Sequence, residues 1–410
     1  MNGRILVVGW KPVVEDALER AGIPHVTLVE TAKYPGVRFR ADADRVLLPC
    51  GDITCVEALL GALHRSDTAV RDVVAVWTAD EFAVVAGAAL AQLLGLRSCA
   101  DVTTALRFRD KYVQKRTVAR AGIPVADTAL LASLDDLGDP GVAAVGLPAV
   151  IKPVAGAGTS HTYRVDTPEE LGERLGALLE SDPGAGPFLL ESFVAGREMH
   201  LDGCLFEGRL TAFAASRYLT NNINIQAGGI NGSYMLDPER DEDVYATAEK
   251  FALSCLAALG LTDGVFHMEV FAGDDGLWFS ECAARAGGGG IIEVFQAKFG
   301  LNLVEEHAKA AAGLPPGIPV VSSDAFGCTL LCAPQGIAVS VPTVDELLAR
   351  PGVLQGTVDQ VVGAPTPDMT KNTVRRAGSA IVRAATEGDA VDRIRSLRSW
   401  FAEAVVTETA

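Results

Sequence analysis

The sequence predicts a multidomain protein of mixed α/β and α+β class that opens on a doubly wound parallel sheet. Three observations lead there. At 410 residues the chain is too long for one ordinary core, so roughly two to four structural units are expected. Over residues 1–104, short apolar strands alternate with helical stretches, the pattern of a parallel sheet covered on both faces. Near the middle, Val265–Phe271 and Leu277–Glu281 flank Gly273-Asp274-Asp275-Gly276, a strong hairpin signal.

Composition narrows the function classes. The hydrophobic fraction of 49% and charged fraction of 21% suit a globular protein. A net charge of −17, from 35 basic and 52 acidic residues, works against general binding of nucleic acid or anionic membrane. An anionic small substrate remains compatible, since a few lysines and a divalent cation can reverse the field inside a cleft. The longest apolar-rich run, Phe82–Leu96, is interrupted by Gly87, Gln92 and Gly95 and is too short to span a bilayer. The N-terminus leads directly into Arg4–Val8 without a signal-peptide pattern, so a cytoplasmic location is expected. The eight cysteines form no Cys-x-x-Cys pair and read as buried free thiols, Cys282 beside Glu281 included.

In the first unit, strands are expected at Ile5–Val8, Val26–Val29, Arg45–Leu48 and Val73–Trp77, with helices at Val13–Ala21 and Glu81–Leu94. Gly9 is followed by Trp10, Lys11 and Pro12, so the glycine pattern of a dinucleotide-binding turn is missing and a Rossmann-type oxidoreductase is a weak reading. A single basic helix is expected over Arg107–Ala121, carrying Arg109, Lys111, Lys115 and Arg116. The strand Leu147–Pro153 brings Lys152 to the loop Gly156-Ala157-Gly158-Thr159-Ser160-His161, from which Thr162–Val165 returns. Such a loop can present N–H groups to anionic oxygens; it is no Walker A loop, because a strand follows it. Thr167, Pro168 and Glu170 open a helix as a capping box. Phe188–Val194 is a short strand whose edge can meet a purine ring, and Glu198 just beyond can accept from ribose hydroxyls; an ordinary strand and turn are the plainer reading.

Strands at Met199–Leu205 and Leu210–Tyr218 precede an Asn- and Gly-rich loop, 220–233, of the kind that covers a substrate. A helix over Asp241–Leu259 leads into the central hairpin. There Phe266, Met268 and Val270 share one face, and His267, Glu269 and Phe271 the other. Glu269 and Glu281 lie on opposite arms; their carboxylates are either solvated or a site for a hard cation such as Mg²⁺. His267 on the Glu269 face either orients that glutamate, meets substrate, or is a structurally satisfied histidine. Helices at Ile291–Phe299 and Leu303–Ala312 follow, and residues 315–410 read as a small separate α+β unit.

In chain order, a lysine, a strand lysine with a Gly-rich loop, an edge strand with an acidic exit, and a two-glutamate hairpin each suit one part of a nucleoside triphosphate and its metal. The ordered set resembles the ATP-grasp superfamily of carboxylate–amine ligases over roughly residues 1–314. The resemblance implies an ATP-grasp fold behind the N-terminal parallel-sheet domain. It implies that Lys111 and Lys152 are nucleotide lysines and that Gly156, Gly158, Thr159 and Ser160 belong to the phosphate loop. Glu191, Ser192, Phe193 and Val194 match the adenine hinge, with Val194 N–H and the Ser192 carbonyl as contacts, and Glu198 matches the ribose acid. Glu269 and Glu281 match the metal ligands, and Arg285 the arginine that stabilises phosphate and intermediate.

Phe266-His267-Met268-Glu269 and Glu281-Cys282-Ala283-Ala284-Arg285 with its glycine run are similar to the L-amino-acid ligase (dipeptide synthetase) branch. Many superfamily members carry asparagine two residues after the second glutamate, where this chain has Ala283. The resemblance implies ATP and Mg²⁺ as cofactors, with Mn²⁺ as a substitute, and small-molecule carboxylate and amine substrates, with a homodimer as a further partner. It implies four units: 1–104; a central domain of 105–126 with 190–314; a lid of 127–189; and 315–410. Alternative readings keep the fold as a biotin-carboxylase-like or purine-pathway enzyme, or make the chain a non-catalytic ATP-binding protein.

Overall fold

The computed structural model describes residues 3–65, 71–181, 186–369 and 375–408. Strands Arg4–Val8, His25–Glu30, Arg45–Cys50 and Val73–Trp77 form the expected parallel sheet, with Arg4–Val8 between His25–Glu30 and Val73–Trp77. Its apolar faces pack under helices Pro12–Arg20, Val56–His64 and Val84–Leu94. The last of these was expected from Glu81. It begins three residues later because the Asp80 carboxylate accepts the Phe82 N–H at 2.9 Å and holds 80–82 as a turn. That turn projects Glu81 toward the central domain, where it meets Arg285.

A second, antiparallel sheet has the order Thr128–Leu131, Phe188–Ser192, Ala149–Pro153, Tyr163–Val165. Helix Pro168–Ser181 covers one face of it through Leu171, Leu175 and Leu178, spaced along a single apolar stripe.

The third sheet has eight strands, all paired antiparallel. Gly276–Ala283 lies at its edge, followed by Gly264–Gly273, Arg197–Phe206, Arg209–Tyr218 and Gly232–Met235. Ala325–Leu331, Gly378–Ala384 and Val353–Val358 complete it, so the C-terminal segment extends the central sheet where a separate unit was expected. The physical link is Gly232–Met235, which closes the Asn/Gly loop and pairs with Ala325–Leu331 on its other side. Helix Glu242–Leu259 buries Ala248, Ala252, Leu256 and Leu259 against Phe266, Met268 and Val270, the apolar face of the central hairpin. The opposite face of that hairpin carries its polar residues.

The expected helix over Arg107–Ala121 is two helices, Val102–Arg109 and Lys111–Arg120. Asp110 breaks it: its backbone is extended, and its carboxylate caps the second helix by accepting the N–H groups of Tyr112 and Val113 at 2.9 Å each. Lys111 is therefore a first-turn residue whose direction the cap fixes. Gln114, one turn on and buried, donates to the Cys282 carbonyl at 2.7 Å and to the Arg107 carbonyl at 2.9 Å, and accepts the Cys282 N–H at 2.8 Å. Its amide acts as an extra strand residue beside Cys282, so the helix bearing Lys111 is locked to the strand bearing Glu281. Gln114→Leu leaves those backbone groups unpaired, and a loss of about 2 kcal/mol or more is expected in urea unfolding.

Candidate active site

The central hairpin turns on Gly273–Gly276, and counting back from that turn would set Ser280 opposite Glu269. Instead the register shifts by one residue between Glu269 and Val270, and Glu269 pairs directly with Glu281. Ser280 is the extra residue of a bulge. Since successive strand residues alternate faces, this slip moves Glu281 from the core side to the side of Glu269 and His267. Cys282, the next residue, goes into the apolar core, where burial raises its thiol well above the ordinary value.

Cations gather around the pair. Lys111 Nζ lies 3.5 Å and Lys152 Nζ 3.7 Å from Glu281 Oε2. Burial opposes ionisation of Glu281, but the ammonium groups of Lys111 and Lys152 outweigh it and bring the carboxyl down to about 2. Lys152 stands near the end of strand Ala149–Pro153, and its Nζ also meets Glu191 at 2.8 Å. Glu191 takes a second ammonium, Lys115, at 2.9 Å, and both partners are buried. Burial alone would raise the Glu191 carboxyl; Lys115 and Lys152 together hold it below its usual range. Lys111 Nζ also donates to the Gly156 carbonyl at 2.9 Å, which fastens the Gly-rich loop to the helix.

On the other arm, Glu269 Oε1 accepts from Tyr218 Oη at 3.0 Å and from the Asn222 amide at 3.2 Å. The same amide reaches Glu198 Oε1 at 3.0 Å, and the Asn222 backbone N–H donates to Glu198 Oε2. Burial, with the Glu269 charge nearby, pushes Glu198 up to about 8. His267 Nδ1 is 2.8 Å from Asp202, and its Nε2 is 3.6 Å from Glu269 Oε1. Burial would lower this imidazole, but Asp202 and Glu269 raise it to about 10.

These groups separate two adjoining clefts. One, of about 870 Å³, has Lys111, Lys152, the Gly156–Ser160 loop, residues 191–194 and Glu198 in its wall, with Glu269 and Glu281 at its end. The other, of about 1220 Å³, shares the two glutamates and the Gly-rich loop, and adds Arg285, His267, Ser233 and Cys328. Arg285 Nε is held by Glu81 of the N-terminal domain at 2.6 Å, and Arg285 Nη1 donates to the Ala286 carbonyl at 2.8 Å.

Every residue singled out from the sequence therefore borders one of the two clefts. Glu191 differs in its use: it sits at the expected hinge, but its side chain is committed to the two lysines. Sequence reasoning gave no individual site role to Lys115, Glu81, Asn222, His200 or Asp202. Two signals were there to read: Lys115 follows Lys111 by one helical turn, and Glu198, His200 and Asp202 alternate along one strand face. Glu81 gave none, because only the turn at Asp80 aims it.

This arrangement of a lysine-lined cleft, a carboxylate hairpin and an N-terminal parallel sheet is that of the ATP-grasp fold. Residues 145–293 match the family model for the ATP-grasp domain, and the chain carries that domain. It is 29% identical over 221 residues to an L-arginine-specific L-amino acid ligase of Bacillus subtilis, covering 53% of this chain and 52% of that one. It is 25% identical to a formate-dependent phosphoribosylglycinamide formyltransferase of Paraburkholderia xenovorans, over 95% of this chain and 91% of the other. The chain thus spans about half the length of the first relative. Among solved structures, an L-amino acid ligase from Bacillus licheniformis superposes with a TM-score of 0.79 at 18% identity, covering 100% of both chains. A carboxyaminoimidazole ribonucleotide synthase from Aspergillus clavatus, complexed with ATP, gives 0.74 at 16% identity over 98% of this chain and 99% of that one. The chain shares its fold with these solved structures over 98–100% of its length. Among the described residues no helix is long and apolar enough to cross a membrane.

The lysine–glutamate–lysine chain can be tested without substrate. Glu191→Gln removes the nearest counter-charge from two buried ammonium groups, Lys115 and Lys152, and a loss of about 3–5 kcal/mol is expected in urea unfolding. Adding Lys115→Met to that variant should recover part of the loss, as coupling through a shared partner requires.

Proposed function

We propose that the protein is an ATP-dependent, ADP-forming ligase that joins a carboxylate, an amino acid or a related acid, to an amine. The observation that carries the reading is the position of Glu269 and Glu281, in register at the junction of two clefts, with lysines and a Gly-rich loop on one side and Arg285 on the other. ATP occupies the first cleft. Its adenine edge meets Val194 N–H and the Ser192 carbonyl, its ribose lies toward Glu198, and its phosphates meet Lys111, Lys152 and the Gly156–Ser160 loop.

The two glutamates suit a divalent cation such as Mg²⁺: both are hard oxygen donors, and the nearest lysines stand 3.5 and 3.7 Å from Glu281, beyond direct hydrogen bonding. A bound ion there neutralises phosphate oxygens. The remaining work is positioning. The substrate carboxylate attacks the γ-phosphorus, the bond to the β,γ-bridging oxygen breaks, and ADP leaves an acyl phosphate. The amine then attacks the acyl carbon, a proton leaves the nitrogen, and phosphate departs. Arg285 faces the developing negative charge, and the Gly-rich loop, tied to Lys111, keeps water from the acyl phosphate.

The similarity to the formyltransferase over nearly the whole chain supports a second reading, in which the amine belongs to a ribonucleotide and the acid is formate. Incubation with ATP, Mg²⁺ and amino-acid pools is expected to release ADP and phosphate with a new amide mass. Release dependent on formate plus a ribonucleotide selects the second reading, and AMP with pyrophosphate overturns both. Glu281→Gln should abolish ADP formation while circular dichroism shows the fold retained; wild-type activity removes Glu281 from the metal site.

A further inference from the structure

Two residue pairs beyond Glu269 and Glu281, the same sheet face carries His267 directly opposite Ala283. Ala283 offers a methyl group and leaves room above it. His267 does not move freely into that room, for its ring is held on two sides. Nδ1 lies 2.8 Å from Asp202 Oδ1, on the neighbouring strand and in register with it. The main chain at Gly287 closes on the ring: a Cβ there would fall 2.8 Å from Nδ1, so only glycine permits the approach. Asp202 is itself fixed, since its second oxygen meets His200 Nδ1 at 2.5 Å, and His200 Nε2 meets Ser233 Oγ at 2.9 Å. The remaining nitrogen of His267, Nε2, is 3.6 Å from Glu269 Oε1.

We propose that His267 Nε2 is a ligand of the divalent ion held by Glu269 and Glu281, giving a two-carboxylate, one-imidazole donor set, with Asp202 as the carboxylate that orients the ring. This rests on the ATP-site reading above. Ligand atoms about 2.1 Å from one octahedral ion are about 3.0 Å apart when adjacent and about 4.2 Å apart when opposed. A separation of 3.6 Å between Nε2 and Oε1 falls between those limits. A metal-bound imidazole commonly gives its other N–H to a carboxylate, which is the relation of His267 to Asp202. His200, Asp202 and His267 also bring three ligand atoms within 4.8 Å of one another. Both Asp202 oxygens are engaged by imidazoles, however, so Asp202 orients and does not ligate. A nitrogen donor suits Mn²⁺ or Co²⁺ better than Mg²⁺, which prefers oxygen alone.

The test uses the full chain with Mn²⁺ and ADP, comparing pulsed electron paramagnetic resonance of unlabelled protein with protein grown on ¹⁵N-histidine. A directly coordinated histidine nitrogen should appear and change on labelling, and His267→Asn should abolish it. His267→Asn should also lower Mn²⁺ affinity about tenfold or more while lowering Mg²⁺ affinity less, read by calorimetry with ADP present. Asp202→Asn should keep the nitrogen signal but weaken Mn²⁺ binding about tenfold or more. The proposal is overturned if Mn²⁺ binds with ADP without histidine coupling, or if the Mn²⁺-to-Mg²⁺ preference is unchanged in His267→Asn. It is overturned as well if loss of the preference follows Asn222→Ala and not His267→Asn. Absence of any Mn²⁺ binding with ADP removes the ATP-site reading along with it.

Discussion

Two carboxylates placed opposite each other on neighbouring strands repel, and much of the site consists of groups that make their proximity stable. A like-charged cross-strand pair destabilises a sheet by itself. Glu281 is balanced by Lys111 and Lys152, and Glu269 by donors from Tyr218 and Asn222 and by the charge on His267. Those partners come from a helix, the four-stranded antiparallel sheet, two strands of the central sheet and the Asn/Gly loop. The repulsion between two side chains is therefore what draws separate parts of the chain to one place.

The same requirement sets how the four-stranded antiparallel sheet is attached. Lys152 belongs to the four-stranded antiparallel sheet and faces Glu281 of the central sheet, while Glu191 on the adjacent strand holds both Lys152 and Lys115 of the capped helix. A buried acid between two buried ammonium groups satisfies neither fully unless all three stay in place. With Gln114 locking that helix to the Cys282 backbone, lid, helix and hairpin form one connected electrostatic frame. On the proposed function, a nucleotide entering the first cleft meets lysines already aimed and partly desolvated.

The N-terminal sheet takes part through one residue. Glu81 reaches Arg285 across the domain boundary, and Arg109 lies 3.8 Å from the same carboxylate. The second cleft is thereby walled by two domains, so its charge pattern depends on how they pack. This is the part of the site where the chemistry of the joined substrates is selected on the proposed function.

Periodicity and local punctuation determined a good deal by themselves. The alternation of short apolar runs with helices specified the parallel sheet, and the Gly-Asp-Asp-Gly turn the hairpin, because each depends on neighbours a few residues away. The ordered lysines, glycines and glutamates also named the residues of both clefts. Other features needed the folded chain. A two-residue turn by itself would have set Ser280 beside Glu269; the bulge that puts Glu281 there follows from packing Phe279 and Cys282 into the core on either side of it. The break at Asp110 pits a cap against continued helix, and the merging of 315–410 into the central sheet depends on an edge offered by Gly232–Met235. Glu81, Asp202 and Gln114 act on partners 204, 65 and 168 positions away, distances over which no local pattern carries a signal. Sequence supplied the chemistry in order; long-range packing decided which carboxylates face each other and what holds them there.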